Sequence, residues 1–130
     1  MKILFIEICI QEIYYILNIV VIAPEVINGK GYTFKSDIYS IGMLMWEISS
    51  GQPPFASYVH DYDLVMKIMN GMRPQIVQGT PTEIRNLMVK CWDADPLKRC
   101  DIDTLDDKIT EIQKSYYQNE NKEQIINFNI

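Results

Sequence analysis

From Ile38 to Ser50 the chain carries Ile38, Tyr39, Ile41, Met43, Leu44, Met45, Trp46 and Ile48, with polar side chains only at Ser40, Glu47, Ser49 and Ser50. At helical spacing these apolar residues take up nearly the whole circumference, and a helix without a polar face has to be covered on every side. The pattern predicts a central helix over about residues 38–50. Ser36 and Asp37 stand before it as N-cap candidates, and Gly51 follows as a left-handed stop. The chain has 130 residues, 48% of them hydrophobic and 22% charged. That is enough for one domain with one core and too apolar for wholesale disorder.

The punctuation downstream predicts three further helices. Gln52-Pro53-Pro54-Phe55 forms a rigid loop, because successive prolines remove donors and restrict the residues before them. Asp61 or Asp63 then caps a short helix carrying Leu64, Val65, Ile68 and Met69, closed by Gly71. Thr80-Pro81-Thr82-Glu83 reads as a capping box for a third helix with Ile84, Leu87, Met88 and Cys91 inward, ended at the latest by Pro96. Asp101 or Asp103 caps a fourth, bearing Leu105, Ile109 and Ile112. Residues 116–130 form a polar tail, a frayed helix end or disorder. The fold class is therefore mainly α.

Residues 1–22 form an apolar extension broken by Glu7, Gln11, Glu12 and Asn18. Period-two alternation at Ile6, Ile8 and Ile10 fits a strand, and spacing at Ile6, Ile10, Ile13 and Leu17 fits an amphipathic helix. Two glutamates make a membrane span costly. A packed apolar segment, a peripheral membrane contact and a span through residues 3–22 all stay open.

Net charge is −5, with 12 basic residues scattered among 17 acidic ones. The chain has no basic stripe to follow a phosphate backbone, which excludes nucleic acid as a partner. Cys9, Cys91 and Cys100 are odd in number and far apart. They make neither a disulfide framework nor a zinc site and fit a reducing, cytoplasmic setting. His60, in a loop-like stretch, reads as a solvated side chain rather than a general base.

Taken in order, Ala23-Pro24-Glu25, then Lys35-Ser36-Asp37-Ile38-Tyr39-Ser40-Ile41-Gly42 with Trp46-Glu47, Gly51-Gln52-Pro53-Pro54-Phe55, Gly71-Met72-Arg73-Pro74, and Cys91-Trp92-Asp93-Ala94-Asp95-Pro96 with Arg99 form a recognisable series. It resembles the second half of the eukaryotic protein kinase C-terminal lobe, most like the tyrosine kinases and the tyrosine-kinase-like serine/threonine kinases. The resemblance spans residues 23 to about 112 and places a partial kinase domain over 23–115. It implies a buried ion pair between Glu25 and Arg99. It also implies a capping and loop-holding role for Asp37, close packing at Gly42, and core or helix-end anchors at Trp46 and Trp92. Cys100 stands where the family usually has proline.

Phosphoryl transfer in this family uses a glycine-rich phosphate cover, a strand lysine, a catalytic aspartate and a metal-binding Asp-Phe-Gly. None of these motifs occurs in the 130 residues, and Asn18-Ile19-Val20-Val21-Ile22 replaces the family's residues before the Ala-Pro-Glu motif. The resemblance thus implies a fragment with no catalytic, cofactor-binding or metal-binding residues of its own. ATP and Mg are expected only for a full-length parent, with activity toward Ser, Thr or Tyr on proteins. The abrupt onset of family character at about Ile22 suggests a truncated gene model and an endogenous protein longer than 130 residues. A non-catalytic protein-interaction module using residues 61–73 is the alternative. In either case the central helix, lacking part of its cover, is expected to expose apolar surface that promotes self-association.

Overall fold

A computed structural model describes residues 19–128, with side chains over 20–121. Among these residues the chain is helix and loop without strand. A single 3-10 turn, Ile19–Val21, leads into α1 (Pro24–Ile27), α2 (Phe34–Ser50), α3 (Tyr62–Met69) and α4 (Thr82–Cys91). A second 3-10 turn, Pro96–Lys98, precedes α5 (Ile102–Phe128).

The central helix starts earlier than its apolar run predicts. Its cap is Thr33 rather than Ser36 or Asp37: Thr33 Oγ1 accepts from the Ser36 N–H at 3.2 Å, and Ser36 Oγ accepts from the Thr33 N–H at 2.7 Å. Ser36 is thus the returning member of a reciprocal box. Asp37 lies in the first turn, where its charge complements the helix dipole. Gly51 closes the helix at φ 69°. That backbone is one an L side chain adopts only with strain.

Two apolar clusters flank α2. Tyr39, Met43 and Trp46 face Val20, Val21, Ala23, Phe55, Leu64, Ile68, Met88 and Trp92. Ile38 faces Leu87, Cys91, Cys100 and Leu105. The expected all-round burial holds on these sides, with half-buried Ile41 packed against the Ile38 cluster, and fails on a third, where Leu44 is half-buried and Ile48 is 75% exposed. Residues 1–18 lie outside the described part of the chain, so the strand, helix and membrane readings of that segment do too. Its last residues are described, and Val20 and Val21 are core. The Val21 carbonyl accepts from Ser40 Oγ at 2.8 Å, which pins this apolar turn to α2. Among the described residues no helix is long and apolar enough to cross a membrane.

The other helix starts differ in detail. Asp61 caps α3, its Oδ1 accepting from the Leu64 N–H at 3.0 Å. The capping box expected at Thr80 is absent. Thr80 Oγ1 turns back to the Val77 carbonyl at 2.7 Å, and Pro81 takes the cap position without a side-chain bond. Asp101 Oδ1 accepts from the Thr104 N–H at 2.8 Å at the start of α5. Leu105 is buried there and Ile109 and Ile112 pack against the same cluster. The helix then runs on to Phe128, well beyond Ser115, with side chains 113–121 exposed. A polar composition suits a solvated helix as well as it suits a tail.

The closest approach is between α2 and α4. A Cβ built on Gly42 would lie 2.8 Å from the Cys91 Cβ and 3.4 Å from the Met88 carbonyl oxygen. A side chain at residue 42 would therefore push the two helices apart. Gly42→Ala is expected to cost about 1–3 kcal/mol through overpacking, read as a lower urea midpoint with unchanged far-UV circular dichroism. An unchanged midpoint would mean that the contact yields freely.

Candidate functional site

Among the described residues the charged side chain most completely buried is a guanidinium. The Arg99 side chain is fully buried, and a buried cation is tolerated only when its donors are met and its charge is paired. Four donations are in place. Nη1 and Nη2 reach Glu25 Oε1 and Oε2 at 2.6 and 2.9 Å, Nη1 also reaches the Lys35 carbonyl at 2.9 Å, and Nε reaches the Asp93 carbonyl at 2.8 Å. The fork geometry matches a planar guanidinium to a carboxylate, which lysine could not do. Lys35 Nζ returns a bond to the Arg99 carbonyl at 2.7 Å.

Local structure delivers each partner. Pro24 at the first position of α1 leaves Glu25 in the opening turn facing the interior, and the Ala23 carbonyl starts the turn by accepting from Val26 and Ile27. Asp93 Oδ1 accepts from the Asp95 N–H at 2.9 Å, and Asp95 Oδ1 from the Leu97 N–H at 3.0 Å. These two turns carry the chain from the end of α4 round to Arg99. Burial pushes the Glu25 carboxyl up, but the bonds and charge of Arg99 outweigh it, and the group sits below its ordinary value.

A second arginine completes the arrangement. Arg73 Nε donates to the Trp92 carbonyl at 2.9 Å, and Nη1 to the carbonyls of Ile68 and Met72 at 2.9 and 2.7 Å. The Tyr39 ring meets both cations, with Arg73 Cζ 5.0 Å and Arg99 Cζ 5.1 Å from its centroid. Burial pushes the Tyr39 phenol up to about 12, against the pull of the two arginines. Its hydroxyl is fully buried and has no hydrogen-bond partner.

Of the residues singled out in the sequence, Glu25 and Arg99 meet at this clamp, and Ala23 and Pro24 open the turn that carries Glu25. Trp46 lies in the same cluster and donates Nε1–H to the Gln75 carbonyl at 2.9 Å, while Trp92 closes α4 and lends its carbonyl to Arg73. Gly42 belongs to the α2–α4 crossing instead. Sequence reasoning assigned no role to Arg73 or Lys35 and treated Tyr39 only as apolar. An arginine before proline within an apolar crossing was the available signal for Arg73. Within the 61–73 stretch offered as an interaction surface Leu64 is buried, and the exposed apolar side chains of α3 are Tyr62 and Met66. His60 is exposed, with Nε2 3.0 Å from the Phe55 carbonyl oxygen. Among the described residues no three His, Cys, Asp or Glu side chains converge to hold a metal.

Comparison with known proteins gives the sequence's relatives. A family described as protein tyrosine and serine/threonine kinase matches residues 11–109. A probable serine/threonine-protein kinase, roco7, of Dictyostelium discoideum is 35% identical over 106 residues, covering 78% of this chain and 4% of the relative. Mitogen-activated protein kinase kinase kinase 7 of Drosophila melanogaster is 36% identical over 94 residues, covering 72% of this chain and 14% of that protein. The mast/stem cell growth factor receptor kita of Danio rerio is 35% identical over 102 residues, covering 75% and 10%. The chain thus spans a small fraction of the length of each of these relatives.

Glu25→Gln leaves a buried guanidinium without its countercharge and is expected to cost about 3–5 kcal/mol in urea unfolding. Because the folded carboxyl lies below its ordinary 4.5, its contribution is complete above that pH and is lost as pH falls through the lower folded value. The wild type should lose stability over that acid range, and Glu25→Gln should show a shallower loss. Tyr39→Phe removes an unmet hydroxyl while keeping the ring between the arginines. It is expected to leave stability unchanged or raise it by about 1 kcal/mol, and a loss above about 1 kcal/mol would show that the hydroxyl is satisfied in solution.

Proposed function

The chain belongs to the protein tyrosine and serine/threonine kinase family, and we propose that it supplies the scaffold of that domain's helical lobe without performing phosphoryl transfer itself. The observation that carries this reading is the Arg99–Glu25 pair, which ties the Ala-Pro-Glu segment to the turn after α4 and so fixes the two ends of the lobe's second half. In a whole domain, such a clamp would hold the floor beneath a substrate and leave the phosphate chemistry to other segments. The family's activity, ATP-dependent phosphorylation of Ser, Thr or Tyr on proteins in signalling, is proposed for a larger protein containing these residues.

The commitments of the acidic side chains at the clamp support leaving ATP and Mg to a larger protein. Glu25 is committed to Arg99, Asp93 and Asp95 are committed to backbone N–H groups, and the described acidic residues form no metal-holding cluster. The described residues of the clamp pack, cap and hold. The two described thiols, both free, support a reducing, cytoplasmic setting.

Purified chain titrated with MgATP in a calorimeter is expected to show no saturable heat, and labelled ATP with a generic protein acceptor is expected to give no phosphate transfer. Stoichiometric ATP binding, or transfer that survives repurification, would overturn the scaffold reading.

A further inference from the structure

We propose that Cys91 and Cys100 form a reversible intramolecular disulfide when a hydroperoxide oxidises Cys100, stapling the end of α4 to the segment that carries Arg99. The two sulfurs lie 3.8 Å apart, both thiols are free, and both side chains are buried in one cluster with Ile38, Leu87 and Leu105. A disulfide needs about 2 Å between sulfurs, so the two sulfurs must move closer before they bond.

The two cysteines are not equivalent. Cys91 is wedged at the α2–α4 crossing, completely covered, with Gly42 against its Cβ. Cys100 lies in the loop between the Pro96–Lys98 turn and α5 and borders a groove of 340 Å³ between α4 and α5. Lys90, Thr104 and Lys108 line the same groove, and Cys100 keeps 5% of its surface exposed where Cys91 keeps none. The contact shared with the Cys91 sulfur favours the Cys100 thiolate, burial opposes it, and the charges of Lys90 and Lys35 add to the stabilisation, holding this thiol below the usual range. Cys91 is shifted the other way, first by the same contact and then by burial. With Cys91 completely covered and Cys100 bordering the groove, Cys100 is the attacking sulfur and Cys91 the resolving one.

The chemistry balances in two steps. Cys100 thiolate attacks the terminal peroxide oxygen, the O–O bond breaks, and the departing alkoxide or hydroxide takes a proton, leaving a sulfenic acid. Cys91 sulfur then attacks the sulfenic sulfur, its proton passing to the departing hydroxide, so that one water leaves and the S–S bond forms. Two thiols lose two electrons and the peroxide gains them. A dithiol reductant reverses the product by exchange. The bridge closes a loop containing Asp93 and Arg99, both members of the clamp.

The test treats the native 130-residue chain with hydrogen peroxide, follows intact mass, and maps linked peptides, with a Cys9→Ala variant in parallel to remove the remaining thiol. The expected product has lost the mass of two hydrogens, links the Cys91 and Cys100 peptides in both chains, and returns to starting mass with dithiothreitol. Cys91→Ala should accumulate a dimedone adduct at Cys100 at least tenfold above wild type, and Cys100→Ala should give neither bridge nor adduct at Cys91. Linkage seen only in denatured protein would overturn the proposal. So would an equal dimedone adduct in wild type and Cys91→Ala, or direct passage of Cys100 to the sulfinic acid in wild type. The wild-type linkage map stands without either variant, should one fail to fold.

Discussion

Arg99 is the constraint on which the rest depends. A guanidinium taken fully out of water is tolerable only with its N–H groups met and its charge opposed, and no single local segment can do both. Its partners come from Glu25 in α1, Lys35 in α2 and Asp93 beyond α4, positions brought together only by the complete fold. Each arm is therefore worth little until the others are in place, which makes the clamp cooperative. The Tyr39 ring, between Arg99 and Arg73, spreads that constraint to the loop after α3. The unmet Tyr39 hydroxyl is a cost carried inside an arrangement that the two cations and the apolar cluster otherwise favour.

Packing around α2 follows the same logic at lower intensity. Gly42 lets α4 approach until a single added methyl would collide, so the helices meet backbone to side chain rather than through interleaved long residues. Two clusters form on either side of that line. A third face, at Leu44 and Ile48, has no comparable cover among the described residues, and Ile48 stands in solvent. An apolar helix circumference thus records what a helix can bury, which in this chain exceeds what the described residues supply.

How much of this was legible in the sequence depends on the range of the interaction that decides each feature. The central helix, α3, α4 and the start of α5 were readable because hydrophobic period and acidic caps are local. The true cap at Thr33 was missed because Ser36 reads as a cap on its own, and only the reciprocal bond reveals it as the returning residue. Thr80 failed for a similar reason: its hydroxyl has a nearer acceptor in the Val77 carbonyl, and local competition of this kind is invisible to a motif. The continuation of α5 past Ser115 was missed because a solvated helix and a disordered tail share a composition. In the clamp, Glu25 and Arg99 were named through a resemblance, whereas Lys35, Arg73 and Tyr39 act through three-dimensional neighbours and leave little trace in spacing.

Cys100 shows how a departure from a family pattern can be read twice. Against the proline usual at that place it is a loss of backbone rigidity just after the clamp arginine. Beside Cys91 it becomes one half of a pair of thiols 3.8 Å apart, with the outer sulfur bordering a groove and the inner one held by the α2–α4 crossing. Proline would restrain this segment permanently through its ring, whereas a thiol pair restrains it only after oxidation. The same few residues that anchor Arg99 could then be loosely or tightly held according to redox state, a choice that a ring at residue 100 would remove.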